Sequence, residues 1–190
     1  MTTKDARGLA MTGADAAAVD RFEAALAEFQ CYVGNPVGTI EAALQARPDL
    51  TMGHVLRGYL YGSSLEAPGL REAGLSLDAA RALPADARER QHVAALEALV
   101  AGAYERAAHL WEVLLVEHPR DVLALQVAHL MDFMRGDARN LRDRVARRLH
   151  AWTKTDPGYH AVAGMHAFGL EEMGEYDRAE ERGRESVSLN

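Results

Sequence analysis

Apolar residues recur at steps of three and four along most of the chain, the period of a helix that buries one face. The stretch DRFEAALAEF at 20–29 shows this spacing. NPVGTIEAALQARPDL follows, with Asn35 and Pro36 as the cap and first residue of a helix that ends before Pro48. APG at 67–69 reads as a break, and Pro84 as the start of another helix. The pattern predicts five antiparallel pairs: 15–31 with 36–47, 49–65 with 69–83, 85–101 with 104–117, 120–135 with 138–154, and 157–173 with 175–188. Residues 1–14 read as a partly ordered segment and 15–190 as one helical-repeat domain. Alternating runs rich in Thr, Val or Ile are missing, so no strand is predicted.

A longer period underlies the helical one. GAYERA at 102–107 and GEYDRA at 174–179 are nearly one hexapeptide written twice, 72 positions apart. From Gly102, Tyr104 follows at +2, Ala107 at +5, Trp111 at +9 and Pro119 at +17, the offsets of the second half of a tetratricopeptide repeat. Gly136 lies 34 residues after Gly102, and Leu141 and Val145 occupy its +5 and +9 positions. The proline of this copy arrives four residues late, at Pro157 rather than at Thr153, which marks an insertion. Gly174 restores the pattern with Tyr176, Ala179 and Gly183. Packing explains the residue types. Glycine permits a tight turn between two helices, tyrosine caps it, a small residue at +5 lets the second helix approach, and the +9 residue fills the space one turn on. The fold expected is therefore all-α, a right-handed α-α superhelix of about five helix pairs.

Composition narrows the functions open to such a fold. The formal charge of −7 argues against nucleic acid as a partner, because displacing counterions from phosphates needs a positive footprint. No apolar run suits a secretory segment or a membrane span, so a cytoplasmic protein is expected, with no membrane partner. The single cysteine, Cys31, has no internal disulfide partner and reads as a buried, inert thiol. The last residues, SVSLN, fall where a further repeat would supply its proline, so no capping helix is expected. That leaves either a longer solenoid or self-association, including a homodimer through the terminal helices.

Three stretches carry a more specific likeness: VDRFEAALAEFQCYVGNPVGTIEAALQARPDLTMGHVLRGYL, ERQHVAALEALVAGAYERAAHLWEVLLVEHPRDVLALQ, and PGYHAVAGMHAFGLEEMGEYDRAEERGRESVSLN. They resemble the tetratricopeptide repeat protein 38 family from about Asp5 onward, with AFGLEEMGEY as the most specific element. The resemblance implies the helical-repeat fold. It implies no reaction, and members of that family continue into further histidine-rich helical pairs.

Candidate chemistry is sparse. His54, His92, His129 and His166 each fall on the first helix of a pair, so a helical enzyme or metalloprotein built on His92, His129 and His166 is one reading. His129 and Asp132 stand one turn apart. No HExxH, paired ExxH or Cys/His spacing supports a metal, and no cofactor is expected. The run from Arg135 to Arg148 reads as a solvated, charge-paired face. On the usual phase of the repeat, the inner face is formed by Arg57, Tyr61, Glu89, His92, Leu96, Leu99, Gln126, Leu130, Phe133, Met134, Phe168 and Glu171. Apolar at its centre and polar at its margins, this face suits a non-enzymatic scaffold that binds a peptide, a protein partner or a small apolar ligand. A structural self-association module is the third reading.

Overall fold

In the computed structural model, which describes residues 2–189, the chain forms two compact units, one up to Leu114 and one from Leu115 onward. Ten α-helices account for most of the described residues.

The first unit opens with a short antiparallel hairpin, β1 (Thr2–Lys4) and β2 (Ala10–Thr12). This corrects the expectation of no strand. Side chains, not apolar alternation, hold it in place. Asp5 Oδ1 accepts from the backbone N–H of Arg7 and of Leu9, at 2.9 and 2.8 Å, and so closes the loop between the strands. The buried Arg7 guanidinium reaches Asp5 at 3.0 Å and Glu23 at 2.6 Å. Arg88 donates to Ala10 O at 2.7 Å.

Five helices and most of a sixth follow: α1 (Ala16–Cys31), α2 (Pro36–Ala46), α3 (Thr51–Gly62), α4 (Ala67–Ala82), α5 (Ala87–Val100) and α6 (Tyr104–Glu117). Helices α1, α2, α4 and α5 start where the sequence supplies a cap or a proline. Asp15 accepts from Ala18 N and Asn35 from Gly38 N, with Pro36 in the first turn of α2. Asp86 and Glu89 form a reciprocal capping box at the start of α5. The break predicted at 67–69 falls earlier, across residues 63–66, where Leu65 is left-handed and Pro68 is already inside α4. Helix α1 packs on α2, α2 on α3, α3 on α4, and α4 on α5; α1 and α5 also reach α3. Cys31, the last residue of α1, is half-buried rather than fully buried.

The second unit holds α7 (Val122–Met134), α8 (Ala138–Ala146), a 3-10 turn at Leu149–Ala151, α9 (Tyr159–Glu172) and α10 (Tyr176–Ser188). Here too α7 packs on α8, α8 on α9, and α9 on α10, while α7 also meets α9. Helix α8 is shorter than the predicted 138–154. The extra residues before Pro157 form a turn instead, with Asp156 Oδ2 accepting from Thr153 N at 2.6 Å and Thr153 Oγ1 at 3.0 Å.

The repeated glycines share one geometry. Gly102, Gly136 and Gly174 have φ of +70°, +69° and +77°. After each, the next N–H returns to a carbonyl five residues back: Ala103 to Ala98 at 2.9 Å, Asp137 to Asp132 at 2.8 Å, and Glu175 to Leu170 at 2.9 Å. The +5 and +9 positions are filled as packing requires. Ala107, Trp111, Leu141, Val145 and Ala179 are buried, and Gly183 lies beside Ala167. Tyr176, expected to cap its turn, is largely exposed.

Gly169 on α9 shows how close two helices come. A methyl group there would stand 2.6 Å from Arg142 Cα and 2.7 Å from Leu141 O, both backbone of α8. Gly74 on α4 has only Val100 Cγ1 nearby, at 3.9 Å. Gly169→Ala should therefore destabilise the protein by about 1–3 kcal/mol. Gly74→Ala should stabilise it by about 0.5–1 kcal/mol. Denaturant unfolding of the two variants checks the opposite signs.

Candidate functional site

Four of the inner-face positions read from the sequence of the first unit lie in its interior. Glu89, His92, Leu96 and Leu99 are each fully buried. Glu89 is occupied by the fold: one carboxylate oxygen accepts from Thr12 N at 2.8 Å and the other from Asp86 N at 2.8 Å, tying the hairpin to the start of α5. His92 belongs to a buried polar cluster. Tyr59 Oη lies 3.2 Å from His92 Nδ1 and 3.0 Å from His92 O, and it accepts from Trp111 Nε1 at 3.0 Å. The Tyr59 hydroxyl thus links the His92 and Trp111 side chains, pairing groups that are buried.

Arg57 and Tyr61 remain at the surface of the first unit, beside a groove of about 390 Å³ lined by Glu41, Leu44, His54, Arg57, Leu75 and Ser76. The guanidinium bonds to Glu41 at 2.9 Å, Glu72 at 2.7 Å and Ser76 Oγ at 2.8 Å, and lies over the Tyr61 ring at 4.7 Å. Burial opposes its charge, but the hydrogen bonds to Glu72 and Glu41 outweigh burial and raise its pKa. Arg57 therefore clamps α2, α3 and α4 together. His54 is likewise engaged, with Nε2 2.9 Å from Pro48 O.

In the second unit Gln126 is buried and Leu130 half-buried, while the remaining predicted positions are exposed. Phe133, Met134 and Phe168 have 45%, 50% and 37% of their surface open. The Phe133 and Phe168 rings meet at a tilt of 56° with centroids 5.3 Å apart, and His129 meets Phe168 edge-on at 5.9 Å. Helices α7 and α9 thus present a contiguous aromatic face, with the exposed Glu171 near the end of α9.

Behind this face the polar groups are spent on structure. His129 Nε2 lies 3.0 Å from Met165 O, and burial holds its pKa down to about 4. Asp132 does not pair with His129; it takes a two-pronged grip from Arg144, at 2.7 and 3.0 Å. Both are buried, and burial raises the Asp132 pKa in spite of Arg144. The arginine run is therefore not simply a solvated face. Arg144 and Arg148 are buried, and Arg142 bonds Glu175 at 2.6 Å.

His166 has a different setting. It is 4% exposed, and its Nδ1 is buried without a hydrogen-bond partner. It lines a cleft of about 400 Å³ with Tyr159 and Leu170 of α9, Arg178, Glu181, Arg182 and Glu185 of α10, and Lys154 from the preceding turn. Burial, then Arg182 and Arg178, hold its pKa down to about 4. The sequence reading missed this cleft. Its signal was the i, i+7, i+11 spacing of Tyr159, His166 and Leu170, matched by the i, i+4, i+7 spacing of Arg178, Arg182 and Glu185.

Among the described residues, no three His, Cys, Asp or Glu side chains gather as a metal-binding group, and no helix is long and apolar enough to cross a membrane. No family model matches the chain, and no solved structure matches it.

Two measurements separate core from surface. Leu96→Ala should destabilise the protein by about 2–5 kcal/mol, and Phe133→Ala by about 1 kcal/mol or less; unfolding curves give both. The histidines predict a pH dependence. In the unfolded chain they take up protons near pH 6.5, whereas the folded chain resists until about 4. Their contribution is thus whole above pH 6.5 and is lost as pH falls toward 4. Asp132, with its raised pKa, acts in the opposite sense. Thermal melts across that range should show a declining melting temperature, with a shallower decline in His129→Gln.

Proposed function

We propose that the protein is a tetratricopeptide-like binding scaffold, a right-handed α-α superhelix of five helix pairs, whose α7–α9 face captures an apolar segment of a protein partner. The touching, exposed pair Phe133 and Phe168, with the exposed Met134 next to Phe133 in sequence, carries the reading. Large apolar side chains clustered on a surface mark interaction sites, and aromatic residues supply much of the binding energy where they anchor a partner. The face is open rather than enclosed, which favours an extended or helical segment over a small ligand.

Three recurring glycine turns and consecutive helix packing within each unit support the repeat architecture. The same proposal places the chain with the tetratricopeptide repeat protein 38 family and in the cytoplasm. An enzymatic reading built on histidines has less support, because His92 and His129 are engaged in internal hydrogen bonds.

Selection from a displayed library of random peptides tests the reading. Enriched sequences should carry two or more large apolar anchors. Their dissociation constants should rise at least about tenfold with Phe133→Ala or Phe168→Ala. An absence of enrichment, or equal affinity for the double variant, would sink it.

A further inference from the structure

We propose that the cleft between α9 and α10 binds the oxyanion of a small molecule, a carboxylate or phosphate group held by Lys154, Arg178 and Arg182, with His166 Nδ1 completing its hydrogen bonds. This site is separate from the aromatic face and goes beyond the scaffold reading. At about 400 Å³ the cleft has the volume of a small-molecule site. Its only aliphatic lining residue is Leu170; the rest are polar or charged. An apolar ligand would leave those groups unsatisfied.

The lining carries three cations against two carboxylates, Glu181 and Glu185. Glu185 is shared, taking Lys154 at 2.8 Å and Arg182 at 2.5 Å. Arg178 is held from outside the lining by Glu175, which also takes Arg142; Arg142 in turn bonds Asp143. Lys154 and Arg178 have side chains 70% and 64% exposed, so both can turn toward an incoming anion. The Arg182 guanidinium is already fixed over the cleft, donating to Tyr159 Oη at 3.2 Å. An arginine beside a lysine gives a planar fork and a mobile point charge, a pairing suited to oxyanions.

His166 supplies the second, independent observation. A buried ring nitrogen without a partner costs free energy that a bound group can recover. The fold keeps this imidazole neutral, first by burying it and then through Arg182, Arg178 and Arg142, which Glu175 opposes only in part. In its Nδ1–H tautomer the neutral ring donates one hydrogen bond to an anion without changing charge. Arg178 and Arg182, which add to the effect of burial on His166, are also the arginines that line the cleft.

The test uses the full chain with histidine side chains labelled with ¹⁵N, titrated with inorganic phosphate and, separately, succinate at constant ionic strength near neutral pH. The expected result is a saturable shift of the His166 ring resonances with at least one of the two, and the arm that saturates identifies the oxyanion. Lys154→Gln, at a largely exposed position, should weaken binding about tenfold without disturbing the fold, and Arg182→Gln should do the same or more. Arg184→Gln, whose exposed guanidinium pairs with Glu180 away from the cleft, should bind as the parent does. Shifts that rise linearly with both anions, or that saturate identically in Lys154→Gln and Arg182→Gln, overturn the proposal. The Phe133 and Phe168 variants should leave this titration unchanged, so failure here and failure of the peptide-binding reading are distinguishable.

Discussion

The architecture depends on ending a helix with one left-handed residue. At Gly102, Gly136 and Gly174 the chain takes a positive φ that costs glycine little, and the following N–H closes on the last turn of the helix just made. That bond satisfies a carbonyl that would otherwise be orphaned, and a three-residue connection then leads into the next helix. Once the turn is set, the positions five and nine residues later must face a neighbouring helix. This is why Leu141 and Val145 of α8 are buried although that helix is otherwise polar and arginine-rich. The first turn uses a costlier device. Tyr32, not a glycine, is left-handed at the end of α1, and Val33 N closes on Glu28 O at 3.1 Å.

Polar residues inside the units follow from the same close packing. Helices held this near leave little room for water around a charge, so most of the buried polar groups described above are matched by another, with His166 Nδ1 an exception. Asp132 and Arg144 grip across α7 and α8, Tyr59 joins His92 to Trp111, and Glu89 ties the N-terminal hairpin to α5. A buried ion pair of this kind adds little net stability, because desolvation offsets most of the attraction. Losing one partner is expensive, however, so the pair penalises any shift of α8 along α7. Register, more than stability, is what these residues specify.

The distinction between legible and illegible features follows from range. Helices, caps and glycine turns are decided by residues within about five positions of one another, and the sequence displayed them: Asn35 before Pro36, the spacing around Gly102, the late proline at Pro157. Burial of a particular polar side chain is decided by residues far along the chain. The burial of Glu89 follows from a contact with Thr12, and that of Arg144 from one with Asp132 on the preceding helix. Repeat phase therefore put Phe133 and Phe168, which are exposed, in one class of position with His92 and Leu96, which are interior. The hairpin was invisible for a related reason. Its strands are three residues long, and side-chain bonds from Asp5, Arg7, Glu89 and Arg88 hold it where an apolar pattern would otherwise be needed.

Helix α9 joins the two candidate surfaces and also keeps them apart. At about 100° per residue, Phe168 lies about 200° round the helix from both His166 and Leu170, so the aromatic face and the polar cleft are on opposite sides of one rod. Between them, one flank packs against α8 at Gly169 and the other against α10, where Ser186 Oγ donates to His160 O at 2.8 Å. A helix held on both flanks cannot rotate freely to trade one surface for the other. A ligand in the cleft could reach the aromatic face only by displacing α9 as a body, and the contact at Gly169 leaves no slack for displacement toward α8. The geometry thus separates the two proposed sites on opposite sides of one helix, which is held against α8 by the close contact at Gly169.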